Sequence, residues 1–230
     1  MNSLTDGDKL SKKRNFSKYP YHLAPVFVLL ILTPLISELL LGDIALNASF
    51  PMILILDLSY YGTGAIVIRE IVRRRGLPWS WVPILAFAYG LIEEGLVLHS
   101  LFNSHFPGIG GLGFYGHALG VNWVWASFVL GLHTVWSITV PILITELLFP
   151  TYQRVRWLGH VGFFTTCAIF VLALTFLGLI YATYITPGFA PSPIALICTT
   201  LLILAILALT LFVPIKPRTP ETDLRNAPNP

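Results

Sequence analysis

The chain has 230 residues, 55% of them hydrophobic and 11% charged, with a mean hydropathy of +0.76. An average soluble domain carries about 25% charged residues, so a water-soluble globule is excluded. At roughly 20 apolar residues per spanning helix, six to eight spans would use nearly the whole length and leave no soluble domain.

Apolar windows of spanning length occur at 22–42, 50–72, 80–102, 121–148, 158–184 and 193–213, each bounded by Pro, Gly, Asn or charge. They predict an all-α, polytopic membrane bundle of six transmembrane helices. The chain divides into a basic tail at 1–21, a six-helix domain at 22–213 and a polar, Pro-rich disordered tail at 214–230. All 14 Lys and Arg fall on one side of this arrangement: Lys9, Lys12, Lys13, Arg14 and Lys18 before the first helix, Arg69, Arg73, Arg74 and Arg75 after the second, Arg154 and Arg156 after the fourth, and Lys216, Arg218 and Arg225 after the sixth. The opposite loops hold none. By the positive-inside rule both termini are cytoplasmic, and the protein is expected in the cell (plasma) membrane. The net charge of +3 therefore reports orientation, with membrane lipids as partners and no nucleic acid. Cys167 and Cys198 lie inside apolar runs and offer no disulfide framework.

An ionisable residue inside a span costs roughly 2.5–3.5 kcal/mol, so each one needs a reason. Glu38 falls in the first helix, Asp57 in the second, Glu93 and Glu94 in the third and His133 in the fourth, at depths that allow one shared cavity. Glu146 and His160 belong to the opposite face, where Arg154 and Arg156 are the expected partners of Glu146. The run from Arg69 to Arg75 reads as an interfacial anchor attracted to anionic lipid, with Glu70 paired to Arg73 or Arg74. Small residues from Gly62 to Ala65 suit close helix contact.

The Glu93-Glu94 pair is the strongest signal, since two unpaired charges at mid-helix would cost roughly 5–7 kcal/mol. Helical spacing puts Glu93 on a stripe with Tyr89 and Ser100, and Glu94 on one with Gly90 and Leu98. Gly95 leaves room beside them for a helix, water or a substrate. His133 is the natural second participant, with Ser137 one turn later and Pro141 after it, where a kink is expected. Catalytic candidates are thus Glu93, Glu94 and His133, with Glu38, Asp57, His99 and Ser137 as substrate-binding or supporting residues. No cofactor or metal is assigned, although this donor set could ligate a divalent cation. Loop 103–120, with six glycines and two histidines, either dips back over the acidic cluster or lies along the interface. The last helix carries no ionisable group and should face lipid.

A Glu-Glu pair in one transmembrane helix with a His in the next resembles the CPBP family, the CAAX-prenyl proteases and bacteriocin-processing enzymes also called Abi proteins. The resemblance covers the third and fourth helices; the arginine of the family's EExxxR motif falls on Leu98 here. It implies an intramembrane glutamate-dependent protease in which Glu93 activates the attacking water, Glu94 assists and His133 helps to stabilise the oxyanion. Three readings remain open: an intramembrane peptidase acting on a membrane peptide, a proton-coupled carrier of a small solute, and a non-enzymatic membrane scaffold or subunit.

Overall fold

The computed structural model describes residues 22–42, 47 and 49–212. The tails expected at 1–21 and 214–230, with their basic residues, lie outside the described residues. Six helical rods follow in chain order: α1 (Leu23–Leu39), α2 (Phe50–Arg74), α3 (Trp81–Gly90 continued by Leu91–Val97), α4 (Trp123–Leu148), α5 (His160–Ile185) and α6 (Pro193–Phe212). Of these, α2, α4, α5 and α6 are long and apolar enough to cross a membrane, and α1 is a shorter apolar helix. The α3–α4 connection adds a two-residue antiparallel pair, β1 (His117–Ala118) with β2 (Val121–Asn122).

The rods are helical because leucine, isoleucine and valine fill them and because a helix satisfies its own backbone where lipid offers no partner. Five of the six change pitch along their length. Leu35–Leu39, Leu58–Gly62, Leu91–Val97, Leu132–Thr139 and Tyr181–Ile185 are π-helical, with i→i+5 bonds such as Leu98 N–H to the Glu93 carbonyl at 2.8 Å. Proline accounts for one of them directly. Pro141 cannot donate to the Ser137 carbonyl, and α4 answers with a wide turn in which Val140 N–H reaches the Val135 carbonyl.

Helix α3 runs through the middle, packed against α2, α4, α5 and α6, while α1 packs on α2 and α4. Leu29, Ala65, Ile66, Ala86, Tyr89, Ile138 and Ile142 form the core between them. The expectation that α6 faces lipid holds for Leu201, Leu204, Leu209 and Phe212, which are exposed, but Thr199, Ile203 and Thr210 are buried. Gly95 admits that helix: a Cβ there would stand 2.9 Å from Thr199 Cγ2. The tightest approach between helices, among the described residues, is at Gly62, whose Cβ would lie 2.5 Å from the Leu30 carbonyl oxygen of α1. Backbone cannot yield as a side-chain tip can, so Gly62→Ala is expected to lower stability by about 1–3 kcal/mol. Thermal unfolding in detergent checks this, and an unchanged midpoint would contradict the α1–α2 contact.

The arginine-bearing end is built differently from the expected lipid anchor. Arg69 is fully buried. Its Nε donates to Glu146 at 3.1 Å, Nη1 to Glu70 at 2.9 Å, and Nη2 to the carbonyls of Tyr152 and Gln153, both at 2.9 Å; the guanidinium also sits 3.6 Å from the Trp157 ring centroid. Arg73 donates to both oxygens of Glu146. Arg74 joins Glu70 to the carbonyls of Leu158 and Gly159. Glu146 is therefore held by two arginines from α2, because helix packing brings α2 and α4 side by side there. Arg75 donates to the carbonyls of Thr210 and Leu211, and His22 N–H to that of Trp157. These bonds gather the start of α1, the ends of α2 and α6 and the α4–α5 connection at one end of the bundle.

Candidate functional site

Glu93, Glu94 and His133 meet in the interior, all three buried. One ligand atom from each can be chosen so that all lie within 4.8 Å of one another. Gly90 allows the approach, since a Cβ on it would stand 3.2 Å from His133 Cβ. His133 Nε2 is 2.9 Å from Glu94 Oε1, and its Nδ1 is 3.6 Å from Glu93 Oε2. An ideal α-helix turns consecutive residues about 100° apart, yet both carboxylates reach the same ring because an imidazole presents nitrogens on two edges. One edge serves each glutamate.

The two carboxylates are not equivalent. Glu94 is used on both oxygens, by His133 and by the Ser100 hydroxyl. Ser100 Oγ also accepts from Trp125 Nε1 at 3.0 Å, and its carbonyl accepts from Asn122 Nδ2 at 3.0 Å. Asn122 Oδ1 in turn meets Ser104 and His117, at 3.0 and 2.7 Å. Glu94 is thus fixed from outside, and as an acceptor it places the His133 proton on Nε2. On the other edge, Glu93 Oε2 and His133 Nδ1 have no hydrogen-bond partner among the described residues. Two acceptors 3.6 Å apart converge on a point that calls for a donor or a cation.

That point fits a water molecule within hydrogen-bond reach of both atoms. It also fits a divalent cation, since two donors on a tetrahedral ion at about 2.0–2.2 Å stand roughly 3.4 Å apart. Glu94 behind the imidazole would then act as the carboxylate that orients a ligating histidine. Four further buried polar atoms lack a hydrogen-bond partner among the described residues: Ser37 Oγ on α1, Asp57 Oδ2 on α2, Tyr89 OH on α3 and Ser137 Oγ on α4. Buried polar groups in a native interior are nearly always satisfied, so six such atoms on four helices indicate a wet or ligand-binding interior.

Of the supporting residues, Glu38 lies within electrostatic reach of His133 and of the Tyr60, Tyr61 and Tyr89 hydroxyls. Asp57 is buried and faces Tyr60. Ser137 is buried one turn from His133. His99 stands apart from the cluster: its backbone has φ 61° and its ring packs near Phe189 at 6.5 Å.

Several contributors lie outside the set expected to be catalytic or supporting. Tyr61 and Tyr89 place their rings 5.8 and 6.2 Å from that of His133. Ser100 was expected beside Glu93, but the π-helical stretch and the turn at His99 change the register and bring its hydroxyl to Glu94. Glu38, Glu93, Glu94, His133 and Ser137 all sit in π-helical segments, a feature that recurs at functional sites. Loop 103–120 folds back on the ends of α3 and α4, burying Ile109 and exposing Tyr115 and Leu119. It meets the cluster through the His117, Asn122 and Ser100 chain.

In comparisons with known proteins, no family model, curated protein or solved structure matches the chain.

Proposed function

We infer that the protein is a six-span intramembrane hydrolase whose arginine-bearing end faces the cytoplasm, and that its substrate is a peptide within the membrane. The observation that carries the reading is the convergence of Glu93 Oε2 and His133 Nδ1, with Glu94 holding the ring from behind. Glu93 is the general base for a water placed between these atoms. Glu94 is a positioning residue. His133 Nδ1 receives or returns the proton, and as an imidazolium it offsets negative charge developing on the substrate oxygen. A divalent cation held by Glu93 and His133 would polarise a carbonyl and acidify bound water. The CPBP resemblance supports the choice of a peptide substrate, because it rests on the same Glu93, Glu94 and His133. Six crossings and cytoplasmic termini are supported by the gathering of α1, α2, α4, α5 and α6 ends around the arginines.

The test is a comparison of membrane-derived peptides in cells expressing the wild-type protein or Glu93→Gln. Peptides present with the first and missing with the second identify the substrate class. Identical profiles at equal protein levels would sink the hydrolase reading.

A further inference from the structure

At the arginine-bearing end, away from the Glu93 cluster, an open pocket of about 470 Å³ lies between α2, the start of α1 and the α4–α5 connection. Arg73, Arg74, Arg154 and Arg156 line it together with His22 and His160, and among the described residues no carboxylate lines it. Two of the arginines are held rigidly from behind. Arg73 is clamped by Glu146, and Arg74 by Glu70, two backbone carbonyls and the Phe163 ring, 4.5 Å from its guanidinium carbon. His22 is stacked on Tyr152 at 4.1 Å. The first turn of α5 opens beside the pocket with no side-chain cap and no acidic residue, which adds backbone N–H groups to the same field.

An arginine collar that only reported orientation would spread its side chains over the surface. Here they surround a concavity, and three of the arginines of this end, Arg69, Arg73 and Arg74, share just two carboxylates between them, Glu70 and Glu146. Planar guanidinium forks match tetrahedral oxyanions. We propose that this pocket binds a phosphate group at the membrane face. Val161 and Phe164, exposed on the first two turns of α5, give an acyl chain an apolar surface next to it, and basic pockets between helices on this side are suited to anionic headgroups.

The experiment places the full chain in nanodiscs of phosphatidylcholine alone or with phosphatidic acid, and titrates the neutral discs with inorganic phosphate. Thermal unfolding and lipid retention in native mass spectrometry are the readouts. Stabilisation by phosphatidic acid is expected, and the Arg154→Gln/Arg156→Gln double variant should bind about tenfold more weakly. Arg75→Gln removes a charge that does not line the pocket and should bind as the wild type does. Stabilisation by inorganic phosphate in neutral discs, lost in the double variant, would identify free phosphate as the source of the same group. Equal weakening by Arg75→Gln would overturn the proposal in favour of general surface attraction, and no stabilisation by either phosphate source would overturn it outright.

Discussion

Arg69→Met is expected to prevent stable folding, the largest single stability loss in the molecule. The arginine is fully buried and its donors are shared among Glu146, Glu70 and two carbonyls of the α4–α5 connection. Methionine fills much of the volume and leaves those acceptors without their donor. Removing one partner of a buried ion pair costs about 3–5 kcal/mol, because the surviving charge stays desolvated. Arg73 and Arg74 still reach Glu146 and Glu70, so the loss should fall at the lower end for the carboxylates; the Tyr152 carbonyl keeps the Trp157 Nε1 donor, and the orphaned Gln153 carbonyl adds about 1–3 kcal/mol. Arg69→Lys keeps the charge and loses the planar fork, and should fall between. Unfolding midpoints in detergent, read beside Arg75→Gln as a charge-matched control, decide the matter. A midpoint for Arg69→Met equal to that of the control would mean the network does not hold α2 to α4.

Glu93→Gln is expected to reduce hydrolysis by about 10²- to 10⁴-fold, the range for loss of a general base, while leaving folding intact. The amide keeps the shape of the carboxylate, and Oε2 has no hydrogen bond to lose among the described residues. His133→Ala should be at least as severe, since it removes the proton acceptor and the centre that both glutamates face. Glu94→Gln tests positioning: both of its oxygens are used, so the variant should perturb the ring and lower turnover more than substrate binding. Peptide profiles and turnover on any substrate they reveal provide the measurement. Full activity in Glu93→Gln excludes this carboxylate as the base. Unchanged peptide profiles with lost proton-coupled uptake into liposomes would point to the carrier.

Much of this was legible in the sequence because the bilayer makes polarity expensive. Glu93, Glu94 and His133 stood out as costs in apolar helices, and the structure brings those three together. Helical periodicity was the less secure guide. It assumed 3.6 residues per turn, and the π-helical stretches at Leu91–Val97 and Leu132–Thr139 moved Ser100 from Glu93 to Glu94 and let adjacent glutamates share one ring. The arginines were legible only in part: Glu70 pairs with Arg74 as expected, but the burial of Arg69 was not foreseen. Arg69 and Arg156 look alike as members of basic runs, yet one is enclosed and the other exposed, a difference made by which helix packs over each.

By itself, the sequence determined the apolar helical character, the approximate positions of the rods and, among the described residues, the separation of the arginines from the Glu93-Glu94 pair. Those follow from transfer free energies, which depend on each residue and its depth alone. The tertiary structure decided the rest: that both oxygens of Glu94 are hydrogen-bonded while Glu93 keeps one that is not, that Glu146 answers to Arg69 and Arg73, and that four arginines line a pocket. Each depends on the angle and distance between two helices, which packing sets and a linear pattern does not encode.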